Sequence, residues 1–456
     1  MYATFGIDGR IYQKERRLEN VVWDPEKTIN PHLLILGTSG AGKTYTLRKV
    51  IRSLINTAKE KGEKPPRIHV FDVHGDMGME GIESSLIFSD QTDYGLNPLV
   101  VDPDPHYGGV RKRVENLIRA INRSSHKLGH RQESLFRALL FHLYERKGFI
   151  ADDPDTWYEG GQTPRGKEKT FPNLHELCTY IRMIKTQMGQ YSDEEGAILL
   201  ERINQQIDHV ARRGKTLSED GLSEKALERF EEEIDRLHIN FRQRIQGLRD
   251  GEHPRELEKV LAMGAERRTL DSLDDTLSNY LASGIFKTRT PPFDDQKPVW
   301  RYQIKPLESQ PDIQRLFVQF RLEELFRQSM AKGQDAQVKD VYVVDEAHLF
   351  MNDDSDNMIN RTAKEGRKFG VAMLAASQSP KHFSEDFLSL VSAKVVLKID
   401  ESFWQYMNNK MRIPTQALRF IGFGRRMVTQ IKSSESKDGS NDYRLVIVPE
   451  DGKKKT

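Results

Sequence analysis

The chain has 456 residues, 37% hydrophobic and 30% charged, which supplies a core and exceeds one typical domain unless a large domain carries an insertion. Lys and Arg number 70 against 68 Asp and Glu, so the formal net charge is +2 and any nucleic-acid contact has to come from a local patch. Cys178 is the single cysteine, which excludes an intramolecular disulfide, and no Cys/His run has the spacing of a metal cluster; with no signal peptide at Met1 and no apolar run of spanning length, the expectation is a cytoplasmic protein with no intrinsic membrane span.

Residues 1–30 form a short prelude, in which residues 5–12 read as a hairpin because Asp8-Gly9 between apolar residues favours a tight turn. The run His32-Leu33-Leu34-Ile35-Leu36 predicts a buried parallel strand. It leads into Gly37-Thr38-Ser39-Gly40-Ala41-Gly42-Lys43-Thr44, which fits the Walker A spacing in full. After it, Leu47, Val50, Ile51 and Leu54 recur at helical spacing. Strand, Gly-rich loop and helix are the context this motif needs. Glycines let backbone N–H groups wrap phosphates, and the helix N-terminus aims further donors at them. All eight residues are therefore candidate ATP-binding positions, with Lys43 neutralising β/γ-phosphate charge and the Thr44 hydroxyl holding Mg²⁺.

Residues 67–72 read as a second core strand after Pro65-Pro66, ending in Val73-His74-Gly75-Asp76. An acidic side chain there either reaches the nucleotide or its water, or only caps the strand-end loop; the sequence leaves both open. From 110 to 281 the pattern turns helical and charged. Leu135, Phe136, Leu139, Leu140 and Leu143 line one helix face, and residues 151–172 read as an exposed loop. Ser192-Asp193-Glu194-Glu195 resembles a capping box. Beyond it, the apolar spacings Leu200 to Val210 and Leu227 to Leu248 predict an antiparallel helical hairpin, whose charges form a solvated face more readily than a DNA contact.

The sheet pattern resumes at 299–304 and is followed by an amphipathic helix over 313–330. Val341, Tyr342, Val343 and Val344 then form an apolar strand ending in Asp345-Glu346. Open α/β sheets bind ligands at that carboxyl edge. Paired with the phosphate loop, this is a Walker B strand: Asp345 anchors Mg²⁺ through water, and Glu346 orients or deprotonates the attacking water. A helix near 357–368, strands near 371–376, 395–399, 427–431 and 444–448, and a basic tail at 451–456 complete the pattern. Short strands alternating with helices predict an α/β fold with a mostly parallel sheet and helices on both faces. The expected ATPase core is 31–109 with 282–450, and the all-α insertion is 110–281.

The ordered motifs at 37–44 and 72–76, Asp345-Glu346-Ala347-His348, residues 365–370 and Ala376-Ser377-Gln378 together resemble the HerA/FtsK superfamily. Within it the resemblance is to HerA and to the ATPases of conjugation and type IV secretion. The helical insertion, Leu96-Asn97-Pro98-Leu99, Leu277-Ser278-Asn279-Tyr280 and Gly284-Ile285-Phe286 are similar to the conjugation ATPases in particular. The resemblance covers nearly the whole chain, although only the ATPase motifs are specific.

It implies a RecA-like core, ATP and Mg²⁺ as cofactors, and a homo-hexameric ring with nucleotide at each subunit interface. It further implies a translocase on double-stranded DNA that works with a nuclease or other effector protein. Arg367 and Gln378 match the spacing of the family's trans-acting arginine and sensing glutamine, and the resemblance carries those roles onto them; Arg367 also reads as a surface residue beside Lys364 and Lys368. A conjugation or secretion ATPase and a nucleotide-gated assembly scaffold are the competing expectations. Two departures accompany the resemblance: thirty residues do not supply the domain-sized β-barrel usual at HerA N-termini, and the membrane helices of coupling proteins are absent from the sequence given.

Overall fold

The computed structural model describes residues 1–106, 108–123, 127–162, 166, 168–190, 266–351, 357–422, 425–433 and 443–449, with four isolated positions between 191 and 265. The helical hairpin expected over 192–248 and the tail at 451–456 lie outside the described residues. The chain divides into two units, Met1–Leu96 with Ser283–Thr456, and Asn97–Ala282.

In the first unit every apolar run anticipated as a strand is one, and the strands are β1 (Ala3–Asp8), β2 (Asn20–Trp23), β3 (Leu33–Leu36), β4 (Arg67–Asp72), β5 (Glu83–Ile87), β6 (Val299–Gln303), β7 (Asp335–Val344), β8 (Phe369–Ser377), β9 (Ala393–Val396), β10 (Arg426–Ile431) and β11 (Tyr443–Ile447). They form one 11-stranded sheet in the order β2-β1-β11-β10-β9-β3-β8-β7-β4-β6-β5. Pairing is parallel from β9 through β5, and antiparallel among β2, β1, β11, β10 and β9. Where both faces of a parallel strand are covered it is apolar along its length, as in β3, where every residue is buried.

One face is sealed by α2 (Lys43–Glu60), which places Leu47, Val50, Ile51 and Leu54 in a core with Ile35, Val70, Val343 and Leu374. The other face is aromatic. Phe71 stacks on Tyr302 at 5.0 Å, and Phe88 meets Phe317 at 4.6 Å between ring centres. Phe317 belongs to a long helix, Pro311–Ala331, that also buries Arg321, whose guanidinium donates to the Tyr302 hydroxyl at 3.1 Å and to Glu324 at 2.7 Å. A buried arginine is tolerated because its donors are paired.

The prelude differs from the hairpin read at 5–12. Asp8 ends β1 and caps a helix, α1 (Gly9–Glu15), its carboxylate accepting from Arg10 N at 2.9 Å and Ile11 N at 3.2 Å. The hairpin partner of β1 is β2, and β1 also pairs with β11, so the prelude extends the central sheet. An Asp before a run of helix formers is as good a cap as a turn residue, and local sequence does not separate the two.

The second unit is helical: α3 (Val110–Asn122), α4 (His130–Arg146), α5 (Leu174–Gln190) and α6 (Arg267–Ala282). Leu135, Phe136, Leu139, Leu140 and Leu143 of α4 are all buried, as their spacing predicts. Helices α5 and α6 are joined at Asp274, which accepts from Arg182 at 2.9 Å, Lys185 at 2.8 Å and the Cys178 thiol at 3.2 Å.

Candidate nucleotide site

Strand order places the chemistry. β8 lies between β3, which leads into the phosphate loop, and β7, which carries the acidic pair. Leu36 is in register with Ser377, and Gly37 N donates to the Ser377 carbonyl at 3.1 Å, so the loop begins level with the end of β8. Thr38 N is held by the Lys398 carbonyl at 2.8 Å. Gly40 and Gly42 both take positive φ, 73° and 95°, and a Cβ on either would meet nothing within 4 Å. The loop is thus a turned backbone with open space beside it, the form a phosphate cradle requires.

Five predicted residues converge at this edge. Lys43 Nζ lies 3.2 Å from Glu346 Oε1, Gln378 Nε2 donates to the same oxygen at 3.3 Å, and the Thr44 hydroxyl donates to Asp345 Oδ2 at 3.3 Å. Asp345 is largely buried, and desolvation, with Glu346 and Asp76 adding negative charge, pushes its pKa up to about 6. A carboxylate under that strain gains from a cation. Glu346 sits in the left-handed region at φ 50°, a conformation that costs a non-glycine residue about 1 kcal/mol or more and that concentrates at functional sites. Its Oε2 is buried without a hydrogen bond, with His348 Nδ1 at 3.3 Å.

These features fit ATP with Mg²⁺. Thr44 and Asp345 are a hydroxyl and a carboxylate already within reach of one another, the oxygen donors this ion takes. The unpaired Glu346 oxygen is an acceptor that a water molecule completes. A groove adjoining the loop is lined by Thr4, Phe5, Tyr45, Leu397, Arg426 and Val448, so β1, β10 and the residue after β11 wall one side of the loop.

Arg367 is not among the convergent residues. It lies in the short turn Gly366–Lys368 before β8, exposed, and its guanidinium donates to the Ile29 carbonyl ahead of β3. The nine residues of β8 separate it from Gln378, about 30 Å of extended chain. Asp72 also differs from the reading in which it reaches the nucleotide. It is fully buried, and its carboxylate accepts from Gly75 N at 2.8 Å, Met77 N at 3.2 Å and Arg301 Nε at 2.7 Å.

Sequence reasoning passed over a pair of imidazoles beside Glu346. His348 stacks on His382 at 4.5 Å and 23°, and His382 Nδ1 is 2.9 Å from the Ser377 hydroxyl. Burial, then the neighbouring His382, lowers the His348 pKa and favours its neutral form. His348 stands in the Walker B tetrapeptide and could have been singled out there; His382 carries no local signal.

A family model described as "Helicase HerA, central domain" matches residues 9–250. The DNA double-strand break repair helicase HerA of Saccharolobus solfataricus is 24% identical over 221 residues, 46% of this chain and 35% of that protein. A probable helicase of Methanocaldococcus jannaschii is 24% identical over 400 residues, 86% of this chain and 61% of that protein. The chain therefore spans from about a third to about three-fifths of these relatives' lengths. Among solved structures, VirB4 of Thermoanaerobacter pseudethanolicus superposes with a TM-score of 0.60 at 14% identity, over 98% of this chain and 96% of that one, a likeness of fold. With the family model matching more than half its length, the chain belongs to the HerA helicase central-domain family of P-loop ATPases.

Proposed function

We propose that the chain is an ATP-driven motor of the HerA type, a homo-hexameric ring that translocates double-stranded DNA. The observation that carries this reading is the split of the site residues. Lys43, Thr44, Asp345, Glu346 and Gln378 gather at one edge of the sheet, while Arg367 is displaced along the length of β8 toward the other. A phosphoryl-transfer site gains strongly from an arginine, and in this reading Arg367, removed from its own site, serves that of a neighbour.

In this reading Lys43 and the loop amides neutralise phosphate charge, and Thr44 with Asp345 holds Mg²⁺, which supplies charge neutralisation at the transferring phosphoryl group. Glu346 aligns the attacking water and takes its proton. Gln378, already bonded to Glu346, reports the state of the site to β8 and so to the sheet. Arg367 of an adjacent copy completes the electrostatics. The HerA relatives, DNA double-strand break repair helicases by name, support DNA as the substrate; a nuclease or another effector protein as the partner is part of the proposal alone. No helix among the described residues is long and apolar enough to cross a membrane, and a cytoplasmic setting accords with that.

ATP turnover measured with and without linear duplex DNA at low salt tests the reading, with Glu346→Gln as the inactive control. Stimulation by duplex, declining with salt, is the expected result, because phosphate contacts release counterions. Turnover indifferent to DNA at low salt would favour a conjugation or secretion ATPase acting on protein. Partner activity retained by Glu346→Gln would favour a nucleotide-gated scaffold.

A further inference from the structure

The loop after β4, residues 73–79, is gripped from below by one side chain of β6. Arg301 is 7% exposed and pairs in register with Val70 of β4 and Ser85 of β5, positions where an apolar residue would serve the sheet equally well. Its donors nevertheless all go to polar partners: Nε to Asp72 Oδ2 at 2.7 Å, one terminal nitrogen to the Gly75 carbonyl at 2.9 Å, the other to Glu83 Oε1 at 3.4 Å. Those partners in turn hold the loop. Asp72 accepts from Gly75 N and Met77 N, and Glu83 Oε2 accepts from Met79 N at 2.8 Å. Val73, Met77 and Met79 are buried, whereas His74 and Asp76 stand exposed between them.

A buried ion pair is weak evidence for stability, since apolar residues of similar volume do as well or better. It does specify a conformation. This one specifies the path of seven residues, and β4 pairs with β7 with Phe71 opposite Val344, so the loop leaves the sheet level with Asp345, the residue that follows β7. The side chains left outside act there, Asp76 adding negative charge at Asp345 and His74 positive charge at His348. We propose that Arg301 is a positioning residue for ATP hydrolysis, fixing loop 73–79 so that the Asp76 carboxylate stands beside Asp345 and orders the water shell of the Mg²⁺ held there. The inference rests on the nucleotide-site reading above and adds to it a carboxylate outside both Walker motifs, with the residue that presents it.

The test uses the full chain, with Asp76→Asn, Arg301→Lys and the two combined. Lysine keeps the charge of Arg301, but a single ammonium cannot reproduce the fork that spans Asp72 and the Gly75 carbonyl. Binding of a fluorescent ADP analogue is titrated with Mg²⁺ and repeated in EDTA, alongside ATP turnover. Each single variant is expected to raise the Mg²⁺ concentration for half-maximal binding by about tenfold, the usual effect of losing an outer-shell partner. Binding in EDTA stays at the wild-type level, and the combined variant is no worse than the weaker single one, because both act through one loop.

A wild-type Mg²⁺ requirement in Asp76→Asn overturns the proposal, as do losses that multiply in the combined variant. If Arg301→Lys melts before the assay temperature, Asp76→Asn decides alone, since its side chain is exposed and outside the clamp. Absence of ATP turnover in the wild-type chain would count against the ATPase reading instead, and the Mg²⁺ titration of ADP binding still reads the loop.

Discussion

The Lys43 ammonium and the Glu346 carboxylate meet at 3.2 Å with both side chains more than nine-tenths buried. Removing one member of such a pair leaves an uncompensated buried charge, at a cost of roughly 3–5 kcal/mol. Lys43→Ala therefore carries two consequences, loss of the phosphate cation and an orphaned Glu346. The expected outcome is loss of nucleotide binding together with a lower thermal midpoint. Glu346→Gln keeps an amide oxygen for Lys43, so it should bind nucleotide normally while turnover falls about 10²–10⁴-fold. Combining the two should restore the midpoint without restoring binding. Calorimetry and binding of a fluorescent ATP analogue separate these effects, and wild-type turnover in Lys43→Ala would sink the site assignment.

Arg367 gives the second prediction, because its place before β8 removes it from its own phosphate loop. Arg367→Ala should bind nucleotide as the wild type does and lose about 10³–10⁵-fold in turnover, the scale of an arginine finger. Mixtures of Arg367→Ala and Glu346→Gln chains form interfaces in which an intact Arg367 faces an intact Glu346. Such mixtures should recover part of the activity that neither variant has alone. A mixture as inactive as its components, in chains shown to co-assemble by native mass measurement, would place Arg367 on the surface with no part in catalysis.

The nucleotide site was legible in the sequence because its parts are local. Gly37 to Thr44 and Asp345-Glu346 each carry their chemistry within a few residues, and the apolar runs before them fix the strand edge at which they meet. What stayed hidden depends on pairing between distant segments. β5 has an intermediate pattern, Glu83 to Ile87, with no residue fully buried, and it belongs to the sheet only through its register with β6. Arg301 reads along the sequence as one polar residue within a strand, and its part in shaping loop 73–79 exists only when β4 and β6 lie side by side. The same holds for β1, whose place beside β11 makes the N-terminal residues a wall of the groove next to Gly42. Alternation and propensity describe a strand's faces; they do not say which strand lies next to it.

A final prediction concerns Lys394, a buried ammonium in the middle of the sheet. It lies on β9 in register with Leu34 and Gln430, 3% exposed, and its Nζ donates to the Val391 carbonyl at 2.8 Å. Burial, with the Lys432 charge adding, pulls its pKa down from 10.5 to about 7. The depressed value means that the unfolded chain binds the extra proton between pH 7 and 10.5 while the folded chain does not. Stability should therefore rise with pH across that window, and the whole burial penalty is present at and below pH 7. Lys394→Met removes the charge at similar length, with one carbonyl bond lost in exchange. At pH 7 it should be more stable than the wild type, by on the order of 1–3 kcal/mol. At pH 10 the two should converge, and the slope of stability against pH should be shallower in the variant. Denaturant melts at several pH values measure both, and parallel slopes in the two proteins would show that Lys394 stays charged within the sheet.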